Sequence, residues 1–226
     1  MSESEKIRQR LEAVLGTLPP GVGLVAVSKF HPAEAVRAAY DAGQRRFGES
    51  RVQELLAKEP VLPADIDWHF IGHLQTNKVR QLVGHVAMIE SVDSQRLIDE
   101  IDRRSAEAGV VTKVLMQVHV AREETKFGFY PEELFEWFAD RRFESLTNTH
   151  ICGIMGMASN TDDEERVRRD FTDIRSAFDR IRLDIAPDLR GFDTLSMGMS
   201  GDWPLAVECG SNLVRIGSAI FGPRNY

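Results

Sequence analysis

The amino-acid sequence predicts an α/β protein, folded as a single (β/α)8 barrel of the TIM type over residues 1–226. Short apolar runs with strand character alternate with amphipathic helical segments, and eight such runs occur along the chain. A doubly wound open sheet is the competing fold, but it often carries a glycine-rich turn after its first strand. Here the first run ends in SKFHP, without glycine, which favours the barrel.

The predicted elements follow one another with short connections. An amphipathic helix is expected over 3–16, because Ile7, Leu11, Val14 and Leu15 form one apolar stripe. The strand candidates cover 24–29, 46–49, 68–72, 86–91, 113–120, 151–157, 194–198 and 213–217. Helical segments between them cover 32–40, 49–59, 94–109, 131–146 and 162–182, of which the last three are the clearest.

Composition narrows the class of protein. The formal net charge of -7 disfavours nucleic acid as the main partner, since an acidic chain repels phosphate backbones. The two cysteines, Cys152 and Cys209, do not make a disulfide framework and are expected to be buried thiols. The amino terminus has no apolar signal region, and no apolar run reaches the length of a membrane span. A cytoplasmic protein without a membrane segment is expected.

Lys29 is the first candidate site residue. In the run LVAVSK, side-chain alternation places Val25, Val27 and Lys29 on one face, with Lys29 as the last strand residue. The carboxyl end of the strands is where the active sites of these barrels form. The alternative is a lysine that only reaches solvent at the rim.

Arg215 is the second candidate. In the run LVRIG, Val214 and Ile216 suit the helix-packed face, so Arg215 is expected inside the barrel. A buried arginine needs an acceptor or an ionic partner. A structural ion pair with Glu49 or Glu90 is the alternative to a functional role, since the same alternation allows both glutamates to point inward.

Two loops rich in glycine and serine predict a phosphate site. Gly217 and Ser218 follow the last strand directly, and the loop 196–202, SMGMSGD, contributes Ser196 and Ser200. Phosphate sites in such barrels often lie at the loops after strands seven and eight, where backbone N–H groups approach the anion.

The lysine, the arginine and a phosphate site together suit pyridoxal 5′-phosphate (PLP). A deprotonated lysine amine condenses with an aldehyde, and PLP carries an aldehyde, a phosphate and a pyridine nitrogen. An arginine facing that nitrogen keeps it unprotonated, which weakens the ring as an electron sink. A class I aldolase-type barrel, whose lysine reacts with a sugar phosphate, also fits the lysine and the phosphate loops but has no need of Arg215.

Several stretches between residues 24 and 226 carry a resemblance to a known family: LVAVSK, FGESRVQE, WHFIGHLQTNK, GIMGM, and LSMGMSGDW through GSNLVRIGSAIFGPRNY. On these residues the chain resembles the pyridoxal phosphate homeostasis proteins. More distantly it resembles the N-terminal barrel of alanine racemase and other fold-type III PLP enzymes. The resemblance implies a PLP-binding barrel of the alanine racemase N-terminal type.

The resemblance also implies roles for individual residues. Lys29 takes the position of the lysine that forms the aldimine (Schiff base) with PLP, and Arg215 the position facing the pyridine nitrogen. Ser200, Gly217 and Ser218 take phosphate positions, with Ser196 nearby. Ser50 stands where relatives carry asparagine, so the resemblance does not decide whether this position contacts the PLP ring.

The histidines His69 and His73 form an H-x-x-x-H pattern, which invites a metal interpretation. No third ligand lies nearby in the sequence, so no metal site is predicted. The resemblance instead places both histidines and Gln75 near the mouth of the cofactor site, with His73 among the cofactor-binding residues.

The resemblance implies a protein that holds PLP, takes part in intracellular PLP (vitamin B6) homeostasis with effects on amino-acid and keto-acid balance, and has no robust turnover. PLP-dependent apoenzymes are the expected partners, and a monomer is expected. A weakly active PLP-dependent amino-acid racemase is the alternative, although Tyr40 and Tyr130 are expected far from the mouth and Tyr226 is terminal.

Overall fold

The predicted barrel is confirmed by a computed structural model that describes residues 1–120 and 127–223. Its strands pair in parallel in chain order, and the last strand pairs with the first to close the ring. The strands are β1 Gly23–Val27, β2 Arg46–Glu49, β3 Asp67–Phe70, β4 Met88–Val92, β5 Thr112–Val118, β6 Thr149–Gly156, β7 Thr194–Ser196 and β8 Leu213–Ile216.

Helices connect the strands on the outside of the ring. They are α1 Glu3–Thr17, α2 Ala33–Asp41, α3 Val52–Lys58, α4 Val79–Leu82, α5 Gln95–Ala108, α6 Pro131–Ala139, α7 Glu164–Arg180, α8 Trp203–Glu208 and α9 Ser218–Phe221. Single 3₁₀ turns cover Glu59–Val61, Thr76–Lys78 and Arg142–Ser145, and a π turn covers Ile181–Ile185.

Local chemistry explains where the helices begin and end. Ser94 caps α5 by accepting the backbone N–H of Leu97, and Gly109 ends that helix in the left-handed conformation with φ +67°. The helix predicted over 131–146 was too long. It ends at Ala139, because Arg141 adopts a positive φ of 54° and a separate 3₁₀ turn follows.

The first strand ends earlier than predicted at the mouth of the barrel, the end formed by the carboxyl termini of the strands. β1 ends at Val27, so Lys29 lies two residues beyond the strand and is not its last residue. The pairing continues for one residue further, since the N–H of Ser28 donates to the carbonyl oxygen of Gly48 at 3.0 Å. Lys29 therefore belongs to the loop above β1.

The main apolar core lies between the barrel and the helices. Outward-facing strand residues such as Phe47, Trp68 and Val214 are buried against α1–α9. Within the ring, a smaller cluster contains Leu115, Cys152 and Met155. The rest of the interior is unusually polar for this fold, whose barrels are commonly filled with branched aliphatic side chains.

Both cysteines were predicted to be buried, but only Cys152 is. Cys152 is buried, and burial raises the pKa of its thiol to about 11, so this thiol is protonated at neutral pH. Cys209 is only partly buried. Within the described residues, none of the helices is long and apolar enough to cross a membrane.

Candidate functional site at the carboxyl end of the barrel

Arg215 lies inside the barrel, as the side-chain alternation predicts. It is 4% exposed. Its Nη1 donates to the hydroxyl of Ser196 at 2.6 Å, and its Nη2 donates to the carbonyl oxygen of Gly156 at 3.0 Å. The same Nη1 lies 3.7 Å from Oε2 of Glu90. The guanidinium is thus fixed from three sides in the middle of the ring.

Glu90 is the ionic partner of Arg215. The sequence allowed either Glu49 or Glu90 in this role. Glu90 is fully buried, its Oε2 accepts the hydroxyl proton of Ser196 at 2.6 Å, and its Oε1 lies 2.6 Å from Nδ1 of His69. Burial alone raises the pKa of this carboxyl. The hydrogen bond from His69 and the charges of His69 and Arg215 outweigh burial, so the pKa of Glu90 is lowered. Glu90 is therefore a carboxylate at neutral pH.

Burial lowers the pKa of Arg215, and Glu90 only partly offsets this effect. The guanidinium remains protonated at neutral pH, because arginine is too basic to lose its proton in proteins. The interior consequently holds a charged pair whose remaining hydrogen-bonding groups are satisfied by Ser196, His69 and the backbone.

Ser196 does not lie beside the expected phosphate position. The residue is fully buried, and its hydroxyl donates to Glu90 and accepts from Arg215. A hydroxyl has one proton, and here that proton is already engaged by a carboxylate. The structure therefore places Ser196 in the interior network below the mouth rather than in the loop above β7.

Glu49, the other candidate partner of Arg215, does not point into the barrel. It shares the helix-facing side of β2 with Phe47. Its Oε1 accepts from Nζ of Lys58 at 2.6 Å and from the hydroxyl of Ser28 at 2.6 Å. Burial raises the pKa of Glu49 despite Lys58 and Ser28. This pair of buried charges lies between β2 and α3.

The loop that carries Lys29 is held from below by α3. Phe30, the next residue, has a left-handed backbone with φ +67°, which is uncommon outside glycine. Its N–H donates to Oε2 of Glu54 at 3.0 Å, and Arg51 lies over its ring at 4.6 Å. Lys29 itself is half-buried. The hydrogen bond to Glu54 offsets the backbone strain beside the lysine.

Sequence reasoning missed Glu54 and Lys58. Lys58 is 7% exposed and donates to both Glu49 and the carbonyl oxygen of Ser28, the residue before Lys29. The available signal was the helical pattern of 52–58, which places Lys58 on the buried side of α3 with Val52 and Leu55.

The loops after β7 and β8 come together as predicted. The hydroxyl of Ser200 accepts the N–H of Gly217 at 3.1 Å, and Ser218 follows as the exposed first residue of α9. A side chain at Gly217 would bring a Cβ within 3.0 Å of the carbonyl oxygen of Val27. Glycine is thus required where the last strand passes the first.

Barrel closure sets Lys29 beside this pair of loops. β1 and β8 are neighbours, with Ala26 opposite Ile216 in the register. The loop after β1 also reaches α9, since the rings of His31 and Phe221 lie 5.2 Å apart. Lys29, Ser200, Gly217 and Ser218 therefore occupy one sector of the mouth, and Arg215 lies below it.

Ser50 and His73 lie further round the mouth. Ser50 follows β2, and its backbone packs so closely on Gly72 that a Cβ there would lie 2.2 Å from the Ser50 oxygen. His73 is exposed above β3, with Nδ1 2.8 Å from Oδ2 of Asp93 and its ring stacked on Phe127 at 3.7 Å. His73 therefore lies on the rim of the mouth, where it contacts Asp93 and Phe127.

His69 does not accompany His73. β3 ends at Phe70, so the two histidines do not share a continuous strand, and His69 lies in the interior on Glu90. The expectation that it lies near the mouth was wrong, while Gln75 is exposed beyond β3. No group of three or more histidine, cysteine or acidic side chains suited to a metal occurs in residues 1–120 and 127–223.

Tyr130 lies at the same end of the barrel as the mouth, whereas it was predicted to lie far from the mouth. Tyr40 lies on α2, where its hydroxyl donates to Asp65 at 2.6 Å. Tyr130 precedes α6 on the same end of the barrel as the mouth, with its ring 5.2 Å from that of His119, so it is not remote from that end. It belongs to the β5 sector, four strands from β1 in the ring. Tyr226 lies outside the described residues.

Comparison with known proteins decides the family. A family model described as the alanine racemase N-terminal domain matches residues 3–225. A pyridoxal phosphate homeostasis protein of Aquifex aeolicus is 41% identical over 207 residues, which cover 90% of this chain and 87% of that protein. The chain belongs to the pyridoxal phosphate homeostasis protein family. Its namesake in Haemophilus influenzae is 36% identical over 208 residues, covering 91% of this chain and 86% of that protein.

Solved structures agree with membership of the pyridoxal phosphate homeostasis protein family. PipY of Synechococcus elongatus, whose structure has PLP bound, is 40% identical with a TM-score of 0.88, over 96% of this chain and all 100% of that one. Alanine racemase of E. faecalis is 19% identical with a TM-score of 0.76, over 97% of this chain and 58% of that one. The second likeness shows a shared fold and nothing further.

Proposed function

We propose that this protein binds PLP at the carboxyl end of the barrel, through Lys29, and takes part in PLP homeostasis in the cytoplasm. The observation that carries the proposal is the closure of β1 on β8. That closure brings a half-buried lysine next to the Ser200 and Gly217 loops, with the buried Arg215 below them. PipY, 40% identical, has a structure with PLP bound, which supports the same ligand here.

The residues at this mouth suit the phosphate and the pyridine nitrogen of PLP. Gly217 begins the turn after β8, and Ser200 and Ser218 add hydroxyls around it. Backbone N–H groups and hydroxyls in a turn of this kind suit a phosphate. Arg215, held by Glu90 and Ser196, suits the pyridine nitrogen.

When bound, PLP supplies an aldehyde that forms a covalent bond with an amine. Lys29 supplies that amine, which acts as a nucleophile only after losing its proton. The backbone of Phe30, bonded to Glu54, fixes the direction in which the loop presents Lys29. Arg215 remains a cation and so disfavours a proton on the pyridine nitrogen, which limits the ring as an electron sink.

These features support a carrier of PLP more strongly than a catalyst. Racemisation needs proton transfer on both faces of the substrate carbon, with a base on one face and an acid on the other. Lys29 can serve one face, whereas Tyr130 is on the β5 side of the ring and is 55% exposed. Under this proposal PLP-dependent apoenzymes receive the cofactor, and the protein acts as a monomer. A weak PLP-dependent racemase is the second candidate, favoured by the shared barrel fold.

A titration with two forms of the cofactor tests the proposal. PLP-free protein is titrated with PLP and, in parallel, with pyridoxal, which has the aldehyde and the ring but no phosphate. The visible absorption of the bound cofactor reports binding. We expect PLP to bind at least tenfold more tightly than pyridoxal, because of the Ser200, Gly217 and Ser218 site. Equal affinities, or no absorption change with PLP, would contradict the proposal.

A further inference from the structure

A cavity opens at the amino-terminal end of the barrel, away from the mouth that carries Lys29. It has a volume of about 470 Å³ and lies among the first residues of the strands. Cavities of roughly 300–1,000 Å³ are of the size that binds small molecules. The lining includes Gly23, Arg46, Asp67, His69, Lys113 and Asp193.

Charged side chains of alternating sign surround this cavity. Arg46 begins β2, Asp67 begins β3, Lys113 lies in β5, and Asp193 directly precedes β7. All four are exposed, and none forms an ion pair with another residue in the described part of the chain. Their charges sum to zero, so a simple anion or cation would satisfy only half of the set. A ligand that carries both charges would satisfy all of it.

His69 forms part of the cavity wall from within the barrel. It is 5% exposed, and its Nδ1 lies 2.6 Å from Oε1 of Glu90. Its Nε2 has no hydrogen-bond partner among residues 1–120 and 127–223. Most of the imidazole is buried, but Nε2 itself is open to the cavity. Exposed charges alone are often only solvated, but a mostly buried imidazole whose unbonded nitrogen faces the same cavity points to a ligand.

We propose that this cavity binds a small zwitterion of the α-amino-acid class. Arg46 and Lys113 hold its carboxylate, Asp67 and Asp193 hold its ammonium group, and a polar side group reaches Nε2 of His69. The site is separate from the PLP site, and binding to it does not require PLP. It touches the interior network, because His69 is bonded to Glu90 and Glu90 to the Ser196 hydroxyl.

L-serine is a suitable probe, because its hydroxyl can bond to the imidazole while its charged groups meet the four side chains. PLP-free protein is titrated with L-serine, and the ring nitrogens of the histidines are followed by proton–nitrogen NMR. We expect a saturable shift of the His69 Nε2 signal, without a comparable shift at His31, which lies at the other end of the barrel near Phe221. Ethanolamine lacks the carboxylate and 3-hydroxypropionate lacks the ammonium group. Each should bind at least about tenfold more weakly.

Substitutions of exposed residues around the cavity test the proposal without disturbing the fold. Arg46→Gln with Lys113→Gln removes two exposed cations, and serine affinity should fall at least about tenfold. Lys6→Gln with Arg37→Gln makes the same charge change on α1 and α2 and should leave the affinity unchanged. The proposal is overturned by an unmoved His69 signal, by equal losses in the two double variants, or by ethanolamine or 3-hydroxypropionate binding as tightly as serine.

Discussion

Glu90 and Arg215 face each other across the interior of the barrel, with 3.7 Å between Oε2 and Nη1. Neither side chain reaches solvent, since Glu90 is fully buried and Arg215 is 4% exposed. The pair comes from β4 and β8, and the hydroxyl of Ser196 on β7 bridges it. It holds in place the cation that we assign to the pyridine nitrogen of PLP.

Glu90→Gln should destabilise the fold, because it leaves Arg215 buried without its anionic partner. Breaking a buried charged pair typically costs about 3 kcal/mol of unfolding free energy. Denaturant unfolding at pH 7 measures the loss. Glu107→Gln, on the exposed side of α5, is the matched control and should change the unfolding free energy by about 0.5 kcal/mol or less.

The loss caused by Glu90→Gln should depend on pH. The pKa of Glu90 in the fold lies below its ordinary value of 4.5, so the carboxylate contributes stability that is fully present above that value. This contribution is lost as the pH falls through the lowered pKa. The difference between wild type and Glu90→Gln should therefore be constant from pH 7 to about pH 5.5 and narrow towards pH 3. A difference that widens in acid would show that Glu90 is protonated in the fold.

Arg215→Glu should change the absorption spectrum of bound PLP. The substitution replaces a cation with an anion, which favours a proton on the pyridine nitrogen. It also places two carboxylates together at Glu90, so a loss of stability is expected. Arg215→Gln removes the charge without adding a second carboxylate and separates the two effects. An unchanged spectrum in both folded variants would remove Arg215 from the cofactor site.

Ser200→Ala and Ser218→Ala should each weaken PLP binding by about 0.5–1.5 kcal/mol, through loss of one hydroxyl from the phosphate site. Pyridoxal, which has no phosphate, should bind both variants as it binds wild type. Fluorescence or absorption titration gives the affinities. Ser196→Ala is the informative contrast, because the Ser196 hydroxyl is engaged by Glu90 and Arg215 and so should affect stability more than phosphate affinity.

Racemase activity should be poor. In solvent D₂O, L- and D-alanine should exchange their α-protons far more slowly than the usual enzyme range of about 1–1,000 per second. Tyr130→Phe should leave any residual exchange unchanged, since Tyr130 lies on the β5 side of the ring. Turnover within that range, followed by chiral analysis of the product, would establish the racemase alternative.

Whether a side chain points into or out of the barrel could be predicted from the pattern of its own strand. The residues that it contacts on other strands could not be predicted. The run LVRIG places Arg215 inward because Val214 and Ile216 suit the helices, and the structure agrees. The same logic left the direction of Glu49 open, because Phe47 is the only large apolar side chain in the run RFGE. Phe47 takes the helix-facing side and carries Glu49 with it.

Contacts that form only when the strands close into a ring could not be predicted from the sequence. Glu90 and Ser196 are 106 positions apart and meet only because β4 and β7 both face the same interior. The cavity with Arg46 and Lys113 likewise exists only once the strand starts form a ring. Lys29 and Gly217 were easier to place together, because an eight-stranded barrel must pair its last strand with its first.

Lys29 is the residue that we propose to carry PLP. The direct measurement is the intact mass of the protein after incubation with PLP and reduction with borohydride, compared between wild type and Lys29→Ala. Lys58→Ala tests the other lysine near the loop, although loss of its buried contacts with Glu49 should reduce stability. We expect one PLP adduct on wild type and none on Lys29→Ala, with peptide mapping placing the adduct at Lys29. An adduct of unchanged mass and yield on Lys29→Ala would show that another amine carries the cofactor and would contradict this account.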